Sequence, residues 1–205
     1  MASLRTGSKG EYYGSLWGES EPLTTGEMEV NAKYIYSFLY SQGWTLNSIC
    51  ALLGNMQAES SINPGRWQND SVGNTSLGYS LVQWTPATKY INWCSENDFS
   101  DASEMDTALL RIQYEVQNGL QWIATSSYDF SFETFTKSDI DCSELAKAFL
   151  LNYERPLDQS TEVQTYRGNN AKNWYNFLQG FTPSKPVEKK AINKLLLYSV
   201  ALDED

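Results

Sequence analysis

The stretch from Thr45 to Gly65 constrains the fold more than any other part of the chain. Thr45 can cap a helix in which Leu46, Ile49, Cys50 and Leu53 fall at i, i+3, i+4 and i+7, a continuous apolar face that must be core. Asn63-Pro64-Gly65 cannot continue that helix, so it ends near Ser60 with Glu59 in its last turn. From Trp67 to Trp84 helical periodicity is lost and turn residues take over (Asn69-Asp70-Ser71, Gly73-Asn74, Gly78), which predicts a short β-hairpin or three-stranded lobe. A core helix that runs directly into a small β-lobe creates a junction, and Glu59 stands at it.

The rest of the pattern is mostly helical. Thr25 can cap a helix over about 26–41, with Ile35, Phe38 and Leu39 inward and Gly43 as its stop. Further helices are expected near 86–97, 103–123, 142–153 and 161–179; the longest carries Met105, Leu109, Ile112, Val116 and Leu120 as an apolar stripe. The predicted class is α+β, mostly helical with a small antiparallel β-lobe after the second helix. Three regions follow: an arm over 1–24, a domain over 25–181 and a linker with tail over 182–205. The arm, rich in Gly and Ser with Tyr12, Tyr13 and Trp17, is read as irregular chain lying on its own domain or docking a partner. The tail around Leu195-Leu196-Leu197-Tyr198 is too small to fold alone and reads as a partner helix, the stump of a further domain or a disordered end.

Composition narrows the chemistry. A chain of 205 residues, 41% hydrophobic, can bury one substantial core but hardly two full domains. It has no histidine, which removes Ser-His-Asp and Cys-His machinery, imidazole proton shuttles and His-liganded zinc. Cys50, Cys94 and Cys142 are odd in number and scattered, so buried free thiols are expected rather than a disulfide framework or a thiolate zinc site. No metal or cofactor is expected. A net charge of −10 disfavours nucleic acid and anionic membranes, and it gives no attraction to an anionic cell wall. No apolar run reaches transmembrane length, and the N-terminus lacks the apolar stretch of a secretory signal, so neither membrane insertion nor signal-peptide export is expected.

Acid-base work is thus left to carboxylates, tyrosine or lysine. Glycosidic bond hydrolysis needs a proton donor for the leaving oxygen and a second group that activates water or stabilises the oxocarbenium charge. Glu59 suits the donor, because the negative end of the helix dipole and partial burial both oppose its anion. Asp70 is the candidate second carboxylate, with an Asx-turn role as the open alternative. Sugar binding calls for aromatic faces with amides, and Trp67, Tyr79, Gln83 and Trp84 supply that mixture. Strand alternation lets only one set line a groove; Tyr79 and Gln83 are favoured there, while Trp84 fits core or cleft. Trp93, Trp122 and Trp174 read as core. Tyr153-Glu154-Arg155-Pro156 closes a helix; Glu154 and Arg155 are expected to form an ion-paired corner, with Tyr153 able to reach the cleft.

Gln57-Ala58-Glu59-Ser60-Ser61-Ile62-Asn63-Pro64, followed by Gly78-Tyr79-Ser80-Leu81-Val82-Gln83-Trp84, resembles the motif pair of lysozyme-like folds: a Glu-Ser step ending a helix, then a Gly-x-x-x-x-Gln strand. Joined to Gly54-Asn55-Met56, Thr85-Pro86 and Tyr153-Glu154-Arg155-Pro156, the pattern resembles the tail-associated lysozymes of short-tailed bacteriophages over roughly residues 26 to 180. The resemblance implies a lysozyme-like fold, peptidoglycan cleavage by a virion at its tail tip, Glu59 as the acid, and other tail proteins as partners. The order Glu59, Asp70, Thr75 is similar to phage lysozymes in which Thr helps hold a water. A single-acid scheme is the alternative, in which the substrate's own acetamido or 6-hydroxyl group assists, as in lytic transglycosylases; a non-catalytic tail or glycan-binding protein is the rival outside enzymology. Some relatives of this kind carry a zinc endopeptidase domain after the linker, which a chain without histidine could not equip.

Overall fold

The computed structural model describes residues 2–183; the tail from Val187 onward and the linker from Ser184 lie outside them. An N-terminal hairpin pairs β1 (Ser3–Gly7) antiparallel with β2 (Gly10–Gly14), in the register Leu4 to Tyr13 and Arg5 to Tyr12. Seven helices follow among the described residues: α1 (Thr25–Ser41), α2 (Leu46–Ser60), α3 (Thr88–Glu96), α4 (Met105–Gln117), α5 (Phe132–Lys137), α6 (Cys142–Phe149) and α7 (Thr161–Leu178). The class is therefore α+β and lysozyme-like, mostly helical with one small antiparallel sheet. No helix among the described residues is long and apolar enough to cross a membrane.

Helix α2 is the axis of the molecule, packed by α1, α6 and α7. Every residue from Ser48 to Met56 is buried, so the helix has core on all sides rather than on one face. Two of its polar members bond across the packing: Asn55 Nδ2 donates to Ala146 O at 3.0 Å, and Ser48 Oγ to Thr136 O at 3.0 Å. Gly54 permits the closest approach. A Cβ there would lie 2.7 Å from the backbone of both Arg167 and Ala171, so only glycine lets α7 cross at this depth.

The helix starts follow their capping chemistry, with one shift. Thr24, not Thr25, caps α1, because Glu27 stands three residues after it and returns a bond to its backbone N–H, completing a capping box. Thr45 caps α2 as expected, and the chain leaves α2 through two left-handed residues, Ser61 and Ile62, both at φ 54°. α4 stops at Gln117, well before the expected 123, because Asn118 caps it and Gly119 turns left-handed at φ 59°. The helix expected over 142–153 loses regular winding at Leu150 and finishes as one π-helical turn to Glu154. α5, capped by Ser131, was not anticipated.

Two differences concern the β-structure. The sheet stands at the N-terminus, and the segment after α2 carries no strands: Trp67 bridges Tyr79, and Tyr79 bridges Trp84, as isolated pairs. Positive φ at Asn69, Asp70, Ser80 and Gln83 breaks the extended run, so no ladder can grow and the expected alternation of faces fails. The arm is correspondingly more regular than its composition suggests. All three cysteines are buried free thiols.

Candidate active site

Glu59 lies in the last turn of α2, its side chain 20% exposed. Next to it Ser60 Oγ donates to Leu81 O at 2.8 Å, fastening the helix end to the 67–84 lobe. Glu59 is ion-paired with Arg167 of α7, whose other terminal nitrogen, Nη1, donates to Asn55 O at 2.7 Å. Arg167 is buried, and it reaches α2 because Gly54 admits α7. Glu59 thus has a guanidinium partner, where the sequence suggested only an apolar and dipolar setting.

Two further carboxyl groups share this junction. Glu115 of α4 is buried and accepts from Arg111 Nε (3.0 Å), Trp84 Nε1 (3.0 Å) and Tyr153 Oη (2.5 Å). Burial raises its pKa above the ordinary carboxylate value, while Arg111, Tyr153 and Trp84 pull the other way. Glu154, at the end of the π-turn, has a buried Oε1 with no hydrogen-bond partner. Burial first, and then the nearby charge of Glu59, push its carboxyl well above the usual range, against the opposing pull of Arg167. The expected Glu154–Arg155 ion pair is replaced: Arg155 turns left-handed at φ 48°, and its Nη1 donates to the carbonyls of Asn152 (2.6 Å) and Gln121.

The other candidates are placed as follows. Asp70 is 61% exposed on the left-handed turn of the lobe, ion-paired with Arg66 and accepting from Ser20 Oγ at 3.1 Å. Thr75 is exposed on the same lobe. Trp67 and Tyr79, 4.3 Å apart between ring centroids, are 1% and 0% exposed beneath the half-exposed Trp17 of the arm. Trp84, 3% exposed, stacks on Tyr90 at 4.4 Å, and Tyr153 stacks on Phe149 at 4.4 Å. All four rings are buried, so none of them presents an open face at the surface, and Trp84 takes the core side of the two placements open to it. Gln83 is half-buried, and its Nε2 is spent on Ser80 O (2.8 Å) and Arg66 O (3.1 Å), holding the lobe's own turn. Sequence reasoning missed Arg167, Glu115 and the isolation of Glu154. For Arg167 the one available signal was a lone arginine beside Gly168 on a helix face that packs inward.

A family model described as phage tail lysozyme matches residues 30–178. Morphogenesis protein 1 of Bacillus phage B103 is 51% identical over 158 residues, 77% of this chain and 42% of the relative. The chain thus spans less than half the length of that curated relative.

Proposed function

We propose, from the premise that the chain belongs to the phage tail lysozyme family, that it is a muramidase cutting the β-1,4 bond between N-acetylmuramic acid and N-acetylglucosamine in bacterial peptidoglycan. In this reading it works at a phage tail tip among other tail proteins. Such mounting supplies a high local concentration at the wall, which a net charge of −10 would not do by attraction.

The observation that carries the reading is Glu59 itself: a partly exposed carboxyl at the end of the central helix, fastened to a neighbouring lobe and held in one orientation by a buried arginine. Glu59 protonates the glycosidic oxygen as the bond to the anomeric carbon breaks. Asp70, with Thr75 on the same exposed lobe, is the second group, stabilising the oxocarbenium charge or orienting water. One observation favours a second reading: Asp70 is already engaged by Arg66 and Ser20, and in that reading Glu59 is assisted instead by the substrate's own 6-hydroxyl or acetamido group, as in a lytic transglycosylase.

Digestion of purified peptidoglycan by the unmodified protein and by Glu59→Gln, with products read by mass spectrometry, tests both. Reducing ends identify hydrolysis and 1,6-anhydro ends identify transglycosylation. Glu59→Gln should fold normally by circular dichroism and lose about 10²–10⁴-fold in rate. Lysis at the unmodified rate in that variant would remove the mechanism.

A further inference from the structure

The N-terminal arm, through Trp17, lines a groove that the Glu59 chemistry does not use. The groove has a volume of about 630 Å³, and its other lining residues come from α3 and from the chain leading into α4, among them Ser95, Phe99, Ser100 and Asp101. None of Glu59, Arg167, Glu115 and Glu154 lines it. Its size is that of an ordinary small-ligand site, about 300–1,000 Å³. Trp17 is 53% exposed, and it meets Trp67 and Tyr79 at 68° and 73°, so neither ring lies flat upon it. Phe99 is half-buried, stacked on Trp93 at 5.2 Å. Ser95 and Ser100 are exposed, and Asp101 is held in place: its Oδ2 accepts from Arg5 Nη2 at 2.8 Å and its Oδ1 from Ser103 N at 2.8 Å. Tyr79, beneath Trp17, has a buried hydroxyl without a partner, and Asp101 and Cys94 of the lining are among the groups that act on it. A buried donor left unspent beside a polar cavity calls for a partner from outside the chain, a ligand hydroxyl or a bridging water.

The lining also says what it would refuse. Among the described residues that form it there is no lysine or arginine, and its carboxylate is already paired with Arg5, so a phosphate or an acidic chain would find no counter-charge. A purely apolar ligand would cover hydroxyl and carboxylate groups without bonding them. Aromatic faces beside hydroxyls and a fixed carboxylate suit a neutral ring that has C–H bonds on its faces and hydroxyls at its rim. We propose that this groove is a saccharide-binding site separate from the Glu59 junction, taking neutral pyranose rings of a surface glycan. Trp17 and Phe99 are its stacking platforms, and Ser95, Ser100 and Asp101 bond the sugar hydroxyls. The site does not depend on Glu59 being the acid. Trp17, and the Arg5 that fixes Asp101, both precede the family match at residues 30–178, so the arm adds this site to the shared domain. A grip on neutral sugars holds the protein to a glycan surface that a net charge of −10 would not attract.

The test titrates chitotetraose, maltotetraose and, as the anionic control, glycerol phosphate into the full chain with Glu59→Gln, in which the proposed acid is absent. NMR follows the indole N–H signal of Trp17, identified by its loss in Trp17→Ala. That signal should shift saturably with at least one tetrasaccharide, half-saturated at about 1 mM or below, and should not respond to glycerol phosphate. A response to chitotetraose alone identifies N-acetylated wall glycan as the source, and a response to maltotetraose identifies neutral hexose more broadly; either supports the proposal. Ser95→Arg, at an exposed position, puts a long side chain at the groove without truncating the core, and should raise half-saturation at least about tenfold. No saturable shift up to about 10 mM of either sugar overturns the proposal, and so does saturation by glycerol phosphate. A shift undiminished in folded Ser95→Arg overturns it as well, because Trp17 touches the 67–84 lobe and would then be reporting a sugar bound elsewhere. Since the acid is absent throughout, failure here leaves the Glu59 reading standing, and failure of the Glu59→Gln lysis test leaves this one standing.

Discussion

At the scale of single residues, the chain tolerates a costly group where it faces the proposed chemistry. Glu154 has its native pKa raised, so the native state binds its proton more tightly than the unfolded chain, where a glutamate titrates near about 4.3. The stability tied to that proton is fully present below the unfolded value and is lost as pH rises through the native one. Glu154→Gln should therefore match the unmodified protein near pH 4 and be the more stable of the two near pH 7. Urea denaturation at the two pH values measures it; an identical difference at both would show that the proton has no part in stability. Glu59 itself was legible because a capped apolar helix and its Asn-Pro-Gly stop place it without reference to the rest of the fold. Arg167 and Glu154 were not, since their meaning lies in which helices cross and in which cations are already taken.

At the scale of elements, local chemistry was readable where it is local and misleading where it is not. Thr45 and its following apolar spacing gave α2 to the residue, whereas the 67–84 lobe looked like strands because its turn residues flank aromatic and aliphatic ones. Its left-handed residues, including Ser80 and Gln83, show that the backbone follows packing of Trp67, Tyr79 and Trp84 rather than a ladder. The α2–α7 crossing makes its own prediction. A methyl group at position 54 meets Arg167 O and Ala171 N at 2.7 Å, atoms of helix backbone that cannot turn aside. Gly54→Ala should cost about 1–3 kcal/mol through overpacking, despite the better helix propensity of alanine. It should also lower lysis per folded molecule, because Arg167 would move away from Glu59. Unchanged denaturation midpoint and unchanged lysis together would mean that the two helices do not touch at this depth.

At the scale of the whole molecule, the arm belongs to the body that carries the site. Its hairpin packs against α1, and Arg5 bonds Ser103 O at 3.0 Å and Asp101 at 2.8 Å. Asn31 and Asn63 stitch the segment beyond to α1 and to the turn after α2: Asn31 Nδ2 donates to both Tyr13 O and Ile62 O at 2.8 Å, and Asn63 Oδ1 accepts from Ser15 N at 3.0 Å. That turn follows directly from Glu59, so the arm helps fix the end of α2, although the family match begins only at residue 30. Tyr12 is the anchor: it is fully buried, packs edge-on to Tyr34 at 5.3 Å and bonds Glu104. Tyr12→Ala should cost about 3–5 kcal/mol, as for other large aromatic truncations in a core. Trp17→Ala, at a ring 53% exposed, should cost less than half as much. Denaturant melts of the two variants decide the matter. Comparable small losses would make the arm a loosely attached extension, while the predicted asymmetry makes it a structural wall of the helical body, fixed through Tyr12.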